Sequence, residues 1–216
     1  MNRMIRGIAL AALLGLASAA AAEPAKPAAD PARLWRGLMV DHHGKMFFYP
    51  CGEQRRLAPK DATREKDLAP LFRDLTGDFD QPVFMELEGT ARGSTLTVTR
   101  LLRANAQSST CRENLDGIVF KAFGSEPDWR IAMDGNALRF QRVEDAGPAS
   151  FPFEKLKEQG GRLVYEGRNE STDMKLELTR ERCRDAGLGA LYPLKASVSS
   201  GGQTLTGCAY LGPAGR

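Results

Sequence analysis

Trp129-Arg130-Ile131-Ala132-Met133, then Asp134-Gly135-Asn136, then Ala137-Leu138-Arg139-Phe140 is the stretch from which the rest of this chain is read. Trp129, Ile131 and Met133 fall on one face of an extended run, and Leu138 and Phe140 return on the next. Two period-two runs separated by a short Gly-containing turn make a strong hairpin signal. Working outward, Met174, Leu176 and Leu178 alternate with Lys175, Glu177 and Thr179, which predicts another half-buried strand leading into Cys183. Tyr192 to Ser199 and Thr204 to Tyr210 read as a final hairpin around Ser200-Gly201-Gly202. Gly160-Gly161 and Gly201-Gly202 lack a following Lys-Ser/Thr or a helix, so they read as hairpin turns and not as phosphate loops.

Upstream the same grammar holds with one interruption. Leu34 to Val40 and Lys45 to Tyr49 flank Asp41-His42-His43-Gly44 and predict a hairpin. Between Asp61 and Leu75 the period changes: Leu68, Leu71, Phe72 and Leu75 stand at helical spacing, with Pro70 tolerable only in the first turn. The charged stretch Asp61 to Asp67 reads as a solvated loop and helix start. Val83, Met85, Leu87 and then Leu96, Val98 alternate again, giving two strands joined around Gly89 to Gly93. Arg103 to Asp116, polar and containing Asn105, Gln107, Ser108, Ser109 and Thr110, is the expected junction between two β-domains, 34–111 and 117–213. Apart from the one helix the chain is all-β.

Before these lies a run with the character of an export signal. Arg3 and Arg6 precede the apolar Ile8 to Leu16, and Ala17-Ser18-Ala19-Ala20-Ala21-Ala22 supplies small residues for cleavage, so residues 1–22 are expected to be removed and 23–33, rich in Pro and Ala, to form a leader. The expected address is the periplasm of a Gram-negative bacterium. Loss of Arg3 and Arg6 takes the formal charge from +3 to +1, with basic and acidic residues interspersed throughout. That balance argues against nucleic acid, whose binders concentrate positive charge. The apolar run is shorter than the ~20 residues a membrane helix needs, so no membrane anchor is expected.

An oxidising compartment makes Cys51, Cys111, Cys183 and Cys208 candidates for disulfides, and small domains gain much from them. Spacing alone leaves three pairings open. We expect Cys51 with Cys111 and Cys183 with Cys208, one in each half, each contributing about 3 to 4 kcal/mol by the chain-entropy argument. No C-x-x-C pair is present, which argues against a thioredoxin-like redox function.

From Trp35 to Arg103 the order is strand, hairpin, an F-x-x-P-C-G element through Phe48 to Gly52, amphipathic helix, apolar strand ending in Glu88-Gly89, and closing strand. This resembles the C-terminal OB-like domain of the NlpE family of envelope-stress and copper-tolerance lipoproteins, although the chain has neither a lipobox cysteine nor that family's C-x-x-C pairs. The second half carries Gly124-Ser125-Glu126-Pro127-Asp128-Trp129, Cys183-Arg184-Asp185, Tyr192-Pro193 and Gly207-Cys208-Ala209. It resembles a family of bacterial envelope proteins of unassigned activity and is similar in its late elements to the small β-domain of the HslJ family. The resemblances imply an N-terminal OB-like barrel with one short helix, a second small antiparallel β-domain that is barrel-like or sandwich-like, an envelope location, and the Cys183 to Cys208 pairing.

Three chemical readings follow from the side chains. Met39, His42, His43 and Met46 combine thioether and imidazole donors suited to copper, while alternation along a strand sends neighbours to opposite faces. Gly124, Glu126, Pro127 and Trp129 read as a structural turn, with Trp129 in the core and Glu126 satisfying buried backbone donors; a glycan-stacking or acid–base site is the competing reading. His42 and His43 are the chain's two histidines and no G-x-S-x-G occurs, which argues against a nucleophilic hydrolase. The expected role is therefore non-enzymatic: binding or sensing in the cell envelope, with an envelope protein or small ligand as partner. The alternatives are copper binding without another cofactor, and a cell-wall-glycan enzyme or lytic-enzyme inhibitor.

Overall fold

The computed structural model describes residues 31–77, 81–106, 108–152, 154–187 and 189–216; the expected export signal, 1–22, and most of the expected leader, 23–33, lie outside them. Strand β1 (Arg33–His42) begins at the last residue assigned to the leader and meets β2 (Lys45–Pro50). Their turn is His43-Gly44, with φ of 54° and 82°, the left-handed pair that matches the twist of a two-residue hairpin. Asp41 Oδ1 accepts the Gly44 N–H at 2.5 Å and closes it.

After β2 come β3 (Ala58–Asp61), helix α1 (Leu68–Thr76), β4 (Val83–Arg92) and β5 (Thr95–Asn105). β1 pairs with β2 on one side and β4 on the other, β4 pairs with β5, and β5 takes β3 as a parallel neighbour. A single bridge, Phe48 to Leu57, carries the ring from β2 back towards β3. This closed order, with its one parallel pair and a helix ahead of β4, is OB-like. Inward-facing Met39, Phe48, Leu87 and Val98 fill it, and α1 plugs it with Leu68, Leu71 and Phe72. Pro70 sits in the first turn of α1, where a missing N–H costs nothing. The loop into α1 is not merely solvated: the Asp61 carboxylate accepts N–H bonds from Thr63 and Leu68 and the Thr63 hydroxyl.

β4 does not stop at Gly89. It runs on to Arg92, and the turn to β5 lies at Gly93-Ser94. Gly89 is required inside the strand because a Cβ there would fall 2.2 Å from the Thr97 carbonyl oxygen. Its own carbonyl accepts the Trp35 indole N–H at 3.0 Å.

The second half contributes β6 (Ile118–Ser125), β7 (Asp128–Asp134), β8 (Ala137–Arg142), β9 (Ala149–Pro152), β10 (Lys157–Gln159), β11 (Arg162–Arg168) and β12 (Asp173–Thr179). It continues through β13 (Cys183–Arg184), β14 (Leu191–Tyr192), β15 (Leu194–Ser200) and β16 (Gln203–Leu211). Nine of these form one antiparallel sheet in the order β10-β11-β12-β15-β16-β6-β7-β8-β9. It curls until β9 lies against β11, where the Tyr165 hydroxyl donates to the Pro152 carbonyl at 2.8 Å. Trp129, Ile131, Met133, Leu176, Leu178 and Val198 line its concave side.

β13 and β14 break the division of the chain into halves. They pair with each other and join the first sheet through Leu191 opposite Ala104 of β5. Tyr192 therefore does not open the last hairpin; Pro193 interrupts, and β15 starts at Leu194 in the other sheet. The two disulfides are Cys51–Cys111 and Cys183–Cys208, the expected pairs. The first ties the end of β2 to the 3-10 turn Ser108–Arg112. The second is no staple within one domain, because Cys183 stands on a strand of the first sheet and Cys208 on β16 of the second.

Gly89→Ala is expected to lower the free energy of unfolding by about 1–3 kcal/mol, the cost of forcing atoms into a closed ladder. Gly135→Ala, where an added Cβ meets open space, should stay within about 0.5 kcal/mol. Urea unfolding of both variants checks the pair.

Candidate functional site

The β1–β2 hairpin does not bring the copper-type donors together. Met39 is 0% exposed and, with Met46, packs into the barrel interior. His42 turns to the opposite face, where its Nε2 lies 3.1 Å from the Tyr49 hydroxyl and its ring packs against Phe47. His43 is exposed in the turn itself. The physical cause is the strand's period of two, which separates Met39 from His42.

Glu126 and Pro127 make the β6–β7 turn, and Gly124 and Trp129 face each other on the strands that enter and leave it. Trp129 is 1% exposed and donates its indole N–H to the Thr206 carbonyl at 3.2 Å, so its ring has no face for stacking a sugar. Gly124 stands opposite it in register, and a Cβ there would reach within 2.4 Å of the indole nitrogen. Glu126 is exposed, which corrects the expectation that it satisfies buried backbone donors.

What pattern reading missed lies in the supposed junction. Arg103, expected in a linker, is the antepenultimate residue of β5 and is 2% exposed. Its Nε lies 3.3 Å from Glu86 Oε2 of β4, and its terminal nitrogen donates to Glu113 Oε2 at 3.0 Å. Glu113 also accepts from the Tyr210 hydroxyl at 2.5 Å and from Lys121 at 2.9 Å, both on the second sheet. Arg216 donates to the other oxygen of Glu86 at 2.5 Å. The Arg103 guanidinium stacks 4.1 Å over the Tyr210 ring, and Tyr192 stacks on Tyr210 in turn. One buried cation thus binds β4 and β5 to β6 and β16.

Burial pushes the Glu113 carboxyl up, but the hydrogen bonds from Tyr210 and Lys121 and the charge of Arg103 outweigh it and hold the group below its ordinary 4.5. Tyr192 is pushed up to about 12, chiefly by burial. Tyr210 is raised as well, by burial and then by its bond to ionised Glu113.

Beside this node the two sheets part and leave a cleft of about 590 Å³. Its floor is Leu101, Leu102, Pro193, Leu194 and Leu211, drawn from both sheets. Around it stand Arg64, Arg100, Arg180, Arg182 and Arg216, with Glu65 and Glu88 as the acidic members. Arg100 pairs with Glu88 at 2.7 Å, Arg182 bonds to Asp67 and lies 3.7 Å from Glu65, and Arg216 is bound to Glu86. Among the described residues, Arg64 and Arg180 have no acidic partner within 4.0 Å. A positively charged mouth over an apolar floor suits an anionic group carried on an apolar or extended body. A second depression, of about 580 Å³, mixes Glu126, Glu177 and Asp185 with Arg184 and Lys195 and has no such bias.

Among the described residues no group of three or more His, Cys, Asp or Glu stands in an arrangement to hold a metal ion. Compared with protein-family models, with curated proteins and with solved structures, the chain matches none.

The Glu113 carboxylate, with its folded-state pKa lowered, contributes stability that is present above about pH 4.5 and is lost as pH falls through the folded value. Glu113→Gln should therefore cost about 3–5 kcal/mol at neutral pH, because it leaves Arg103 partly uncompensated. The gap should shrink in acid. At the alkaline end, stability held by neutral Tyr192 is complete below pH 10.0 and is lost towards about 12, a loss that Tyr192→Phe should reduce. Urea titrations at acid, neutral and alkaline pH measure both windows.

Proposed function

We propose that this chain is a secreted, non-enzymatic binding or sensing protein of a Gram-negative cell envelope, acting in envelope stress or protein interaction through the cleft between its two sheets. The observation that carries the reading is the pair Arg64 and Arg180, exposed guanidiniums with no acidic partner among the described residues, above a floor of leucines. Guanidinium groups recognise carboxylates and phosphates through paired N–H donors, and an apolar floor adds area to that recognition. Two disulfides accord with an oxidising compartment. The resemblance of the first half to the NlpE family and of the second to envelope-protein families points to the same address.

A binding role is also favoured by where the reactive side chains stand. Both histidines sit at the β1–β2 turn and all four cysteines are in disulfides. The glycan alternative rested on Trp129 or Glu126, and Trp129 is enclosed in the core. The copper alternative rested on donors that the hairpin sends to opposite faces.

The test is native mass spectrometry of the protein recovered from the envelope fraction of its own cells. The expected species begins at Glu23, is lighter by the four hydrogens of two disulfides, and carries a bound ligand or partner that Arg64→Gln/Arg180→Gln removes. Retention of residues 1–22 in a cytoplasmic fraction, or an adduct indifferent to the two arginines, overturns the reading.

A further inference from the structure

The cleft owes its shape to one strand. β5 pairs with β4 along one edge, and its other edge is shared by β3, which ends opposite Val98, and β14, which pairs only with Ala104. Between them, among the described residues, Thr99–Arg103 has no strand beside it. At roughly 3.3 Å per residue this is a gap of about 16 Å, room for four or five residues of extended chain. An edge of this kind presents N–H and C=O groups to any chain that enters.

Two irregularities fall in the same short run. Against β4, Glu88 stands opposite Arg100 and Gly89 opposite Val98, which leaves Thr99 extra; Glu86 stands opposite Arg103 and Leu87 opposite Leu101, which leaves Leu102 extra. Both extra residues line the cleft. Bulges bend a strand and re-aim its side chains, and here successive residues Leu101 and Leu102 are both buried.

Resting on the cleft as the binding site, we propose that its occupant is an extended acidic peptide segment that pairs with β5 over Thr99–Leu102, the part of the strand that lines the cleft. The main chain of the segment completes the row that runs from β3 to β14, the mode in which sheet edges take up peptides. Its carboxylates meet Arg64 and Arg180, and its alternate apolar side chains meet the floor of Leu102, Leu194 and Leu211. Arg100 and Arg182, already paired with acids of this chain, add field without being consumed. The partner is thus a protein with an accessible acidic strand or tail.

The experiment uses the disulfide-bonded mature protein and a short fluorescent peptide alternating Glu and Val. Affinity is read by anisotropy and location by amide hydrogen exchange. The Glu peptide is expected to bind and to slow exchange at Thr99–Leu102. Replacing its Glu by Gln, or substituting Arg64→Gln/Arg180→Gln in the protein, should weaken binding about tenfold or more. N-methylation of alternate peptide nitrogens should abolish it. Equal binding of the N-methylated peptide overturns strand pairing. If dodecyl phosphate fills the cleft, as judged by loss in the arginine variant, while the Glu peptide does not, the peptide inference fails and the binding reading stands. If neither probe binds in the cleft, both fail.

Discussion

Arg103 is a guanidinium taken almost wholly out of water between Glu86 and Glu113, and the placement of the two sheets depends on it. A buried charge is tolerable only when paired and hydrogen-bonded, so each group that compensates it is held where it is. Glu86 comes from β4, Glu113 from the segment after β5, and Tyr210 and Lys121 from β16 and β6. Arg216 satisfies the oxygen of Glu86 that Arg103 leaves, drawing in the C-terminal residue. An apolar contact of the same area would join the sheets without specifying their register; a network of directional bonds does both.

The Cys183–Cys208 bond works beside that node. It anchors β13 to β16 while β14 reaches over to β5, so the second half lends a short hairpin to the first sheet. Because β14 pairs with β5 at one position only, no strand among the described residues pairs with the edge ahead of it. The cleft is the space between a charge network that fixes the sheets and a hairpin too short to cover the edge between them. Its arginines come from four separated places: the loop ahead of α1, β5, the stretch after β12 and the C-terminus.

That dispersal explains why the cleft was not legible in sequence while much of the fold was. His43-Gly44, Asp134 to Asn136 and Gly201-Gly202 mark turns through local backbone chemistry, and alternation in Met174 to Leu178 or Trp129 to Met133 reports a buried face directly. The helix stripe Leu68, Leu71, Phe72, Leu75 is equally local. Arg103 and Asn105, by contrast, look like linker residues because polarity in sequence does not say whether a partner further along the chain compensates it, as Glu113, 10 positions on, does for Arg103 while also accepting from Tyr210, 97 positions beyond. Likewise Arg64 and Glu65 read as a solvated loop, and only the approach of Arg180 and Arg182 makes them the wall of a cleft. Short strands such as β13 and β14 carry too few residues for any period to show.

Local turn chemistry and hydrophobic period, which depend only on neighbours along the chain, determined by themselves that this is an all-β protein with one helix, where most of its hairpins turn, and which side chains face the cores. Tertiary structure alone decided that β13 and β14 cross to the first sheet and that Arg103 is buried. It also decided that distant arginines share one cleft, because these outcomes rest on charge compensation and register between segments far apart in sequence.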